Sequence, residues 1–259
     1  MSRIRAVTVA LLACCAVPAS AGAAETATLH TSFSPDRLGA STTIGFGFQI
    51  GDTGGGLPAP LTSLDLHLPP GIDYVSTTLG LSICQPANLL ARGLAGCSPN
   101  SRLGFGSALV EVPFGTGSGH EIPEIQALMG PPHDGNIVVL FYANGQEPVY
   151  AQIVFQAELL SGSETLSGSL DAAVPLIPSV PNGPPVSILN VQSTIGPSHL
   201  TYYRRSHGKR IAFHPKGVAI PRHCPAGGFQ FSATFGFADG TSTVAKSVVP
   251  CPPLARRHR

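Results

Sequence analysis

The chain has 259 residues, of which 11% are charged, against about 25% in an ordinary soluble domain. Glycine (30 residues) and proline (25 residues) are abundant, tryptophan is absent, and the formal net charge is +1. This composition argues against a disordered chain, a coiled coil, a collagen and a charge-rich helical protein. It favours a folded, turn-rich, all-β protein.

The N-terminal residues have the pattern of a secretory signal peptide. Two arginines precede an uncharged apolar run at 6–18, and small residues follow at 19–23. The run is shorter than the roughly 20 residues that a membrane-spanning helix needs, and we expect no transmembrane segment in the chain. We therefore expect secretion after removal of residues 1–23. The alternative is a lipoprotein anchored through Cys14, because residues 11–14 loosely match a lipobox, although the apolar run continues past this cysteine.

Four cysteines remain in the mature chain, namely Cys84, Cys97, Cys224 and Cys251. In an exported protein an even number of well-separated cysteines indicates disulfide bonds, and four cysteines allow three pairings. The alternative is a zinc site, but the chain has no C-x-x-C motif and few histidines near these positions. We therefore expect disulfides, and neither a metal nor another cofactor.

Most of the mature chain consists of short segments with strand character between glycine- and proline-rich turns. From Ile44 to Ile50, apolar residues alternate with small or polar ones, which predicts a half-buried strand. The same alternation places four phenylalanines and an alanine on one face between Phe229 and Phe237, and the following Asp239-Gly240 predicts a hairpin turn. In chain order, the predicted strands cover residues 26–33, 44–50, 61–68, 73–78, 102–112, 122–129, 137–142, 149–158, 165–173, 186–194, 200–204, 210–214, 229–237 and 241–249.

Helical character is confined to residues 86–92, where a proline stands at the start and a glycine follows the end. About a dozen strands with almost no helical periodicity predict an all-β fold. We expect an antiparallel β-sandwich of the immunoglobulin-like or jelly-roll type over residues 24–253. This region forms either one large sandwich or two packed sandwiches, with residues 113–119 as the candidate boundary between the two. Residues 254–259 are expected to form a basic C-terminal tail.

Charge is unevenly distributed along the sequence. Residues 24–200 contain 13 acidic and three basic residues, whereas residues 201–259 contain ten basic residues and one acidic residue. A predicted hairpin with its tip near residues 206–208 carries four cations beside two tyrosines. These candidate binding residues are Tyr202, Tyr203, Arg204, Arg205, Lys209 and Arg210.

Guanidinium groups beside aromatic rings can hold phosphate or carboxylate groups. A hairpin of this kind can therefore bind an anionic cell-wall polymer or glycan, or another surface protein, but the sequence identifies no particular partner. The interpretations that we favour are a solvated hairpin whose charges protect an edge strand and a hairpin that docks on the acidic part of its own chain. Nucleic acid is not expected, because the acidic remainder of the surface would repel it.

Two regions resemble uncharacterised secreted proteins of high-GC Gram-positive bacteria. The stretch HLPPG at 67–71, Cys84 and the stretch CSPNSRLG at 97–104 resemble a PPG…C…CPxxSxxG arrangement in those proteins, and segment 208–251 resembles their C-terminal part. The chain departs from the pattern by inserting Ser98 between cysteine and proline. The resemblance implies a β-sandwich-like exported protein in which each cysteine pairs with its nearer neighbour in sequence. It implies no activity, substrate or catalytic residue.

The sequence contains no G-x-S-x-G, P-loop or H-E-x-x-H motif. Glu121 and Glu124 superficially resemble the paired carboxylates of a β-sandwich glycoside hydrolase, whose chemistry needs both carboxylates in one cleft. Their spacing of three places them on opposite faces of a regular strand, and only a bulge would bring them together. We therefore predict that the protein is not an enzyme, and a glycoside hydrolase is the weaker alternative.

These features predict an exported, disulfide-stabilised β-sandwich protein of bacterial type. We expect it to act as a non-enzymatic structural or interaction module at or outside the cell surface. The alternative is a module that binds an anionic cell-wall polymer or glycan through the basic hairpin at 202–210.

Overall fold

The computed structural model describes residues 24–74, 78–147, 150–162 and 168–252. The predicted signal peptide and basic tail lie outside these ranges. Within them the chain forms fifteen strands, one α-helix, α1 (Pro86–Arg92), and two short 3-10 turns. The strands are β1 (Glu25–Ser34), β2 (Ser41–Asp52), β3 (Leu61–Leu68), β4 (Arg102–Phe114), β5 (Gly117–Glu121), β6 (Glu124–Met129), β7 (Ile137–Gly145), β8 (Ala151–Ser161), β9 (Gly168–Ala173), β10 (Ser187–Ile195), β11 (Tyr202–Ser206), β12 (Lys209–Phe213), β13 (Val218–Ala219), β14 (Phe229–Phe237) and β15 (Ser242–Val249).

Thirteen of these strands form one antiparallel sheet. Its order is β1-β2-β10-β4-β6-β7-β8-β9-β3-β14-β15, with β5 paired to β4 and β13 paired to β2. β11 and β12 form a separate two-stranded hairpin. This architecture confirms the predicted all-β, antiparallel fold class. The segment 113–119 lies in the hairpin between β4 and β5, and strands from both sides of it belong to the same sheet.

The first and last strands of this order lie side by side, so the sheet is nearly closed. The Ser247 hydroxyl of β15 accepts hydrogen bonds from the Thr31 N–H (3.1 Å) and the Thr31 hydroxyl (2.9 Å) of β1. These bonds join the two edges. The inner faces of the strands therefore surround a common interior.

The alternating phenylalanines of β14 face this interior, as their period of two predicts. All four are at most 4% exposed. Phe229 contacts Phe33 of β1 at 5.1 Å between ring centroids, and Phe235 contacts Phe48 of β2 at 5.0 Å. Burial of each ring stabilises the fold by about 2 kcal/mol. The two strands with the clearest sequence alternation, β2 and β14, thus form the centre of the core.

The predicted helix forms over the predicted residues and packs on the outer face of the sheet. Gly93, with a φ of 56°, ends the helix in a backbone conformation that favours glycine. Leu89 is buried against outward-facing side chains such as Leu140, and the disulfide Cys84–Cys97 closes the loop that contains the helix. Among the described residues, no helix is long and apolar enough to cross a membrane.

The second disulfide, Cys224–Cys251, links the loop before β14 to the segment after β15. Both bonds have the pairing that the resemblance to exported proteins implies. Each bond restricts the unfolded chain, which contributes about 3 kcal/mol of stability in the chain-entropy model.

Three segments differ from the predicted elements. In the predicted strand at 73–78, the described residues contain only an isolated bridge from Asp73 to Ala219. β5 is absent from the predicted strands because its sequence, GSGHE, has no apolar alternation. β13 has two residues and forms through its pairing with β2, which the local sequence does not encode.

Candidate functional site

The nearly closed sheet encloses an apolar cavity of about 160 Å³, which we call the interior cavity. Its lining comes from nine strands, β2 to β10, and from the loop at 174–178. Phe48, Val110, Ile153 and Ala172 are typical of this lining. The sequence predicts that such residues face inward, but it does not predict a space between them.

A second apolar cavity, of about 120 Å³, lies beside the interior cavity. The two cavities share five lining residues, so they are neighbouring parts of one apolar interior. The shared residues are Phe46, Leu66, Phe141, Leu170 and Ser193.

An empty cavity of this size is costly. Protein interiors are close-packed and contain few voids larger than a water molecule. For a fully enclosed cavity of this volume, about 24 cal/mol per Å³ corresponds to a loss of about 4 kcal/mol in the free energy of unfolding. An engineered cavity of about 150 Å³ with a similar aliphatic and aromatic lining stays dry and binds benzene. The interior cavity can therefore hold a hydrocarbon group of about that size, and such a group would recover part of the cost.

One carboxyl group interrupts the apolar lining. Glu121, the last residue of β5, is 7% exposed and lies opposite Val110 in the strand register, so that both residues face the interior cavity. A carboxylate accepts hydrogen bonds from hydroxyl and ammonium groups. Glu121 therefore provides a polar group that can orient one end of a ligand.

Exposed apolar side chains lie close to this lining in the sequence. Ile122, Tyr150 and Leu176 are each at least half exposed. Each is adjacent in sequence to a residue that lines the interior cavity, such as Glu121 or Ala151. The loops that border the cavity thus present apolar groups to the outside as well.

Glu124 lies on the other side of the sheet from Glu121. It is exposed and lines a groove on the outer face, whereas Glu121 lines the interior cavity. This is the arrangement that their spacing of three predicts for regular strands. The two carboxylates therefore do not converge on one substrate, as hydrolysis of a glycosidic bond would require.

A second carboxylate lies between a serine and a histidine on the hairpin of β4 and β5. Glu111 accepts a hydrogen bond from the Ser118 hydroxyl and lies 2.6 Å from Nε2 of His120. Activation of a serine requires contact between its hydroxyl and the base. Here the carboxylate, and not the histidine, accepts the hydrogen bond from the serine hydroxyl, so the cluster does not have the Ser–His–carboxylate order of a catalytic triad.

The predicted basic hairpin consists of β11 and β12. Its tip, His207 (φ 50°) and Gly208 (φ 76°), has the two left-handed residues of a type I′ turn. Tyr202 is fully buried, and its hydroxyl donates to the Arg102 carbonyl and accepts from the Gly80 N–H at 3.0 Å. Burial raises the pKa of Tyr202, and the Gly80 hydrogen bond opposes this shift. This candidate binding residue thus anchors the hairpin and does not face the solvent.

The other candidate residues of the hairpin lie at the surface. The guanidinium carbon of Arg210 lies 3.6 Å from the centre of the Tyr203 ring, in a cation–π contact. Arg205 stands directly opposite Arg210 in the register, and Arg204 and Lys209 are exposed. In the described parts of the chain, no carboxylate lies within salt-bridge distance of these cations. The structure thus places five of the six candidate residues where a ligand can reach them.

Over the described ranges, no group of three histidine, cysteine, aspartate or glutamate side chains could hold a metal ion. No protein-family model, curated protein or solved structure matches this chain. The fold and the site define the class of the molecule as a two-disulfide, antiparallel β-protein with an apolar interior.

Proposed function

We propose that the protein is an exported, non-enzymatic binding module that holds an apolar ligand inside its sheet. The observation that carries this proposal is the interior cavity, which inward-facing residues of nine strands line. Export rests on the predicted signal peptide, and the two disulfides support it, because such bonds persist in oxidising compartments. The module would act at or outside the cell surface.

The lining favours one class of ligand. A charged group enters an apolar cavity only at a high cost unless it finds a partner there. The carboxyl group of Glu121 can share a hydrogen bond with a hydroxyl or an amine. We therefore expect a hydrocarbon chain or ring with a hydroxyl or amine at one end.

Two adjacent alanines of β9 provide a matched test. Ala172 is buried and lines the interior cavity, whereas Ala173 is exposed on the other face of the strand. Ala172→Leu adds apolar volume to the cavity. We expect this variant to unfold at a higher temperature and to bind a naphthylamine dye at least tenfold more weakly, while Ala173→Leu binds as the unaltered protein does. Fluorescence titration and thermal unfolding measure the two effects.

Two results would contradict the proposal. One is equal dye binding by Ala172→Leu and Ala173→Leu. The other is no saturable binding of the dye to the unaltered protein while thermal unfolding remains cooperative.

A second candidate function is the binding of an anionic cell-surface polymer by the basic hairpin. Arg205 and Arg210 are opposite each other, and like charges in this position destabilise a hairpin. A phosphate or carboxylate between them would remove the repulsion.

We expect Arg205→Glu to abolish retention of the protein on a glycerol-phosphate polymer at low salt. Lys246→Glu, at an exposed position of β15, should preserve this retention. Retention that does not fall with added salt, or that both variants lose equally, would reject this function.

A further inference from the structure

The outer face of the sheet carries a continuous row of polar residues and one glycine. The strand registers place each residue of this row directly opposite the next, across β1, β2, β10, β4, β6, β7 and β8. This outer polar row consists of His30, Gly47, Gln192, Ser107, Glu124, Asn144 and Gln152. Since neighbouring strands lie about 4.8 Å apart, the row is about 29 Å long.

The outer polar row follows a groove. A depression of about 710 Å³ lies over β1, β2, β10, β4 and β6. A second depression, of about 460 Å³, continues it over β7 and β8 and shares Glu124 and Gln126 with the first. Gly45 and Gly47 lie within the first depression, where they present no side chain. Residues 91–94, which include the end of α1, border the second depression. The result is a long, open groove that runs across the strands.

Amide side chains in this groove have hydrogen-bonding capacity that the protein does not use. Gln49, Gln126, Asn190 and Gln192 make no side-chain hydrogen bond within the described part of the chain. Each amide group offers two donors and an acceptor, which suits hydroxyl groups because these also both donate and accept. Phe105, half-buried and opposite Gln126 in the register, adds an apolar ring.

The charges of the groove disfavour an ionic polymer. Its two depressions contain one carboxylate, Glu124, and one guanidinium group, Arg92, which balance each other. Binding of nucleic acid depends on several cations that neutralise phosphates. An apolar occupant would bury the amides without partners, at about 1–3 kcal/mol for each unsatisfied group. The ligand that fits is therefore uncharged, rich in hydroxyl groups and extended.

We propose that this groove binds an uncharged linear polysaccharide, which lies across the strands along the outer polar row. The outer polar row and the interior cavity lie on opposite faces of the same strands, although four residues line both the first depression and the cavity, namely Phe46, Phe48, Val191 and Ser193. An extended sugar chain would meet hydrogen-bonding groups on successive strands. Binding should therefore strengthen with chain length until the sugar chain spans the row.

The test uses calorimetric titration with soluble, uncharged glucan, mannan and xylan, followed by oligosaccharides of increasing length from the polymer that binds. We expect Gln192→Ala and Gln126→Ala each to lower the affinity at least fivefold. Gln230→Ala is the matched control, because Gln230 is an exposed glutamine of β14, away from the groove. All three variants should bind the naphthylamine dye as the unaltered protein does, which separates this proposal from the one on the interior cavity.

Three results would overturn the proposal. The first is that none of the three polymers binds. The second is equal affinity of Gln192→Ala and Gln230→Ala for the polymer that binds. The third is concentration-dependent dimerisation in sedimentation that Gln192→Ala weakens, because the groove would then be an interface between two copies of the chain.

Discussion

The carboxyl group of Glu25, at the start of β1, lies in surroundings that disfavour its charge. Burial raises its pKa, the hydrogen bond from the Ala59 N–H (2.8 Å) lowers it, and the nearby carboxylates of Asp52 and Asp239 raise it. Its Oε2 atom is buried without a hydrogen-bond partner among the described residues. A raised pKa in the folded state means that the protonated form stabilises the fold. This stabilisation is complete at low pH and is lost as the pH rises through the folded-state pKa.

Glu25→Gln should therefore stabilise the protein at neutral pH. The amide oxygen can still accept from the Ala59 N–H, while the unfavourable charge is gone. We expect a gain of about 0.5 kcal/mol at pH 7, since the group is only partly buried, and no gain at pH 3. Urea unfolding at both pH values measures the difference, with Glu124→Gln on the outer face as the control. A variant less stable than the unaltered protein at pH 7 would show that this account of Glu25 is wrong.

Tyr202 and Tyr203 illustrate how far the sequence defines a single residue. Strand alternation predicts that two adjacent tyrosines point to opposite faces. It does not predict which of them faces the protein, because their own strand continues with Arg204, Arg205 and Ser206 and shows no apolar face. The structure gives the inward position to Tyr202, through its bonds to Arg102 and Gly80. The candidate binding site on the basic hairpin therefore consists of Tyr203 and the four cationic side chains, without Tyr202.

At the level of elements, each disulfide closes a loop around one part of the fold. Cys84–Cys97 spans 13 positions around α1, and Cys224–Cys251 spans 27 positions around the hairpin of β14 and β15. The chain-entropy model gives loops of this size about 3 kcal/mol each.

Paired replacement of either disulfide by alanines should lower the free energy of unfolding by about that amount, with a slightly larger loss for the longer loop. Denaturant unfolding of the two double variants measures it. A loss below about 1 kcal/mol for both would mean that the unfolded chain is already restricted without the bonds.

The sequence predicts an element when the signal lies within the element itself. β2, β14 and α1 carry their own alternation or end signals and form where expected. The order of the strands is not encoded in this way. β10 inserts between β2 and β4, and β3 pairs with β14 from the far end of the chain. These neighbours are selected by packing over long sequence separations, which local patterns do not record.

At the level of the whole molecule, both proposed sites arise from closure of the sheet and from strand register. Inward-facing residues can be predicted from alternation, but the volume that they leave empty depends on how nine strands approach one another. The outer polar row likewise takes one residue from each of seven strands, so no motif in the sequence reveals it.

The central claim is that the interior of the sheet is a binding site for an apolar ligand. Calorimetric titration with hexan-1-ol, whose six carbons match the size of benzene, tests it most directly when done at several temperatures, because burial of apolar surface gives a negative heat-capacity change. We predict saturable binding of one molecule per chain with a negative heat-capacity change, retained by Ala173→Leu and lost by Ala172→Leu. No saturable binding to the unaltered protein, or equal binding by the two variants, would contradict the claim.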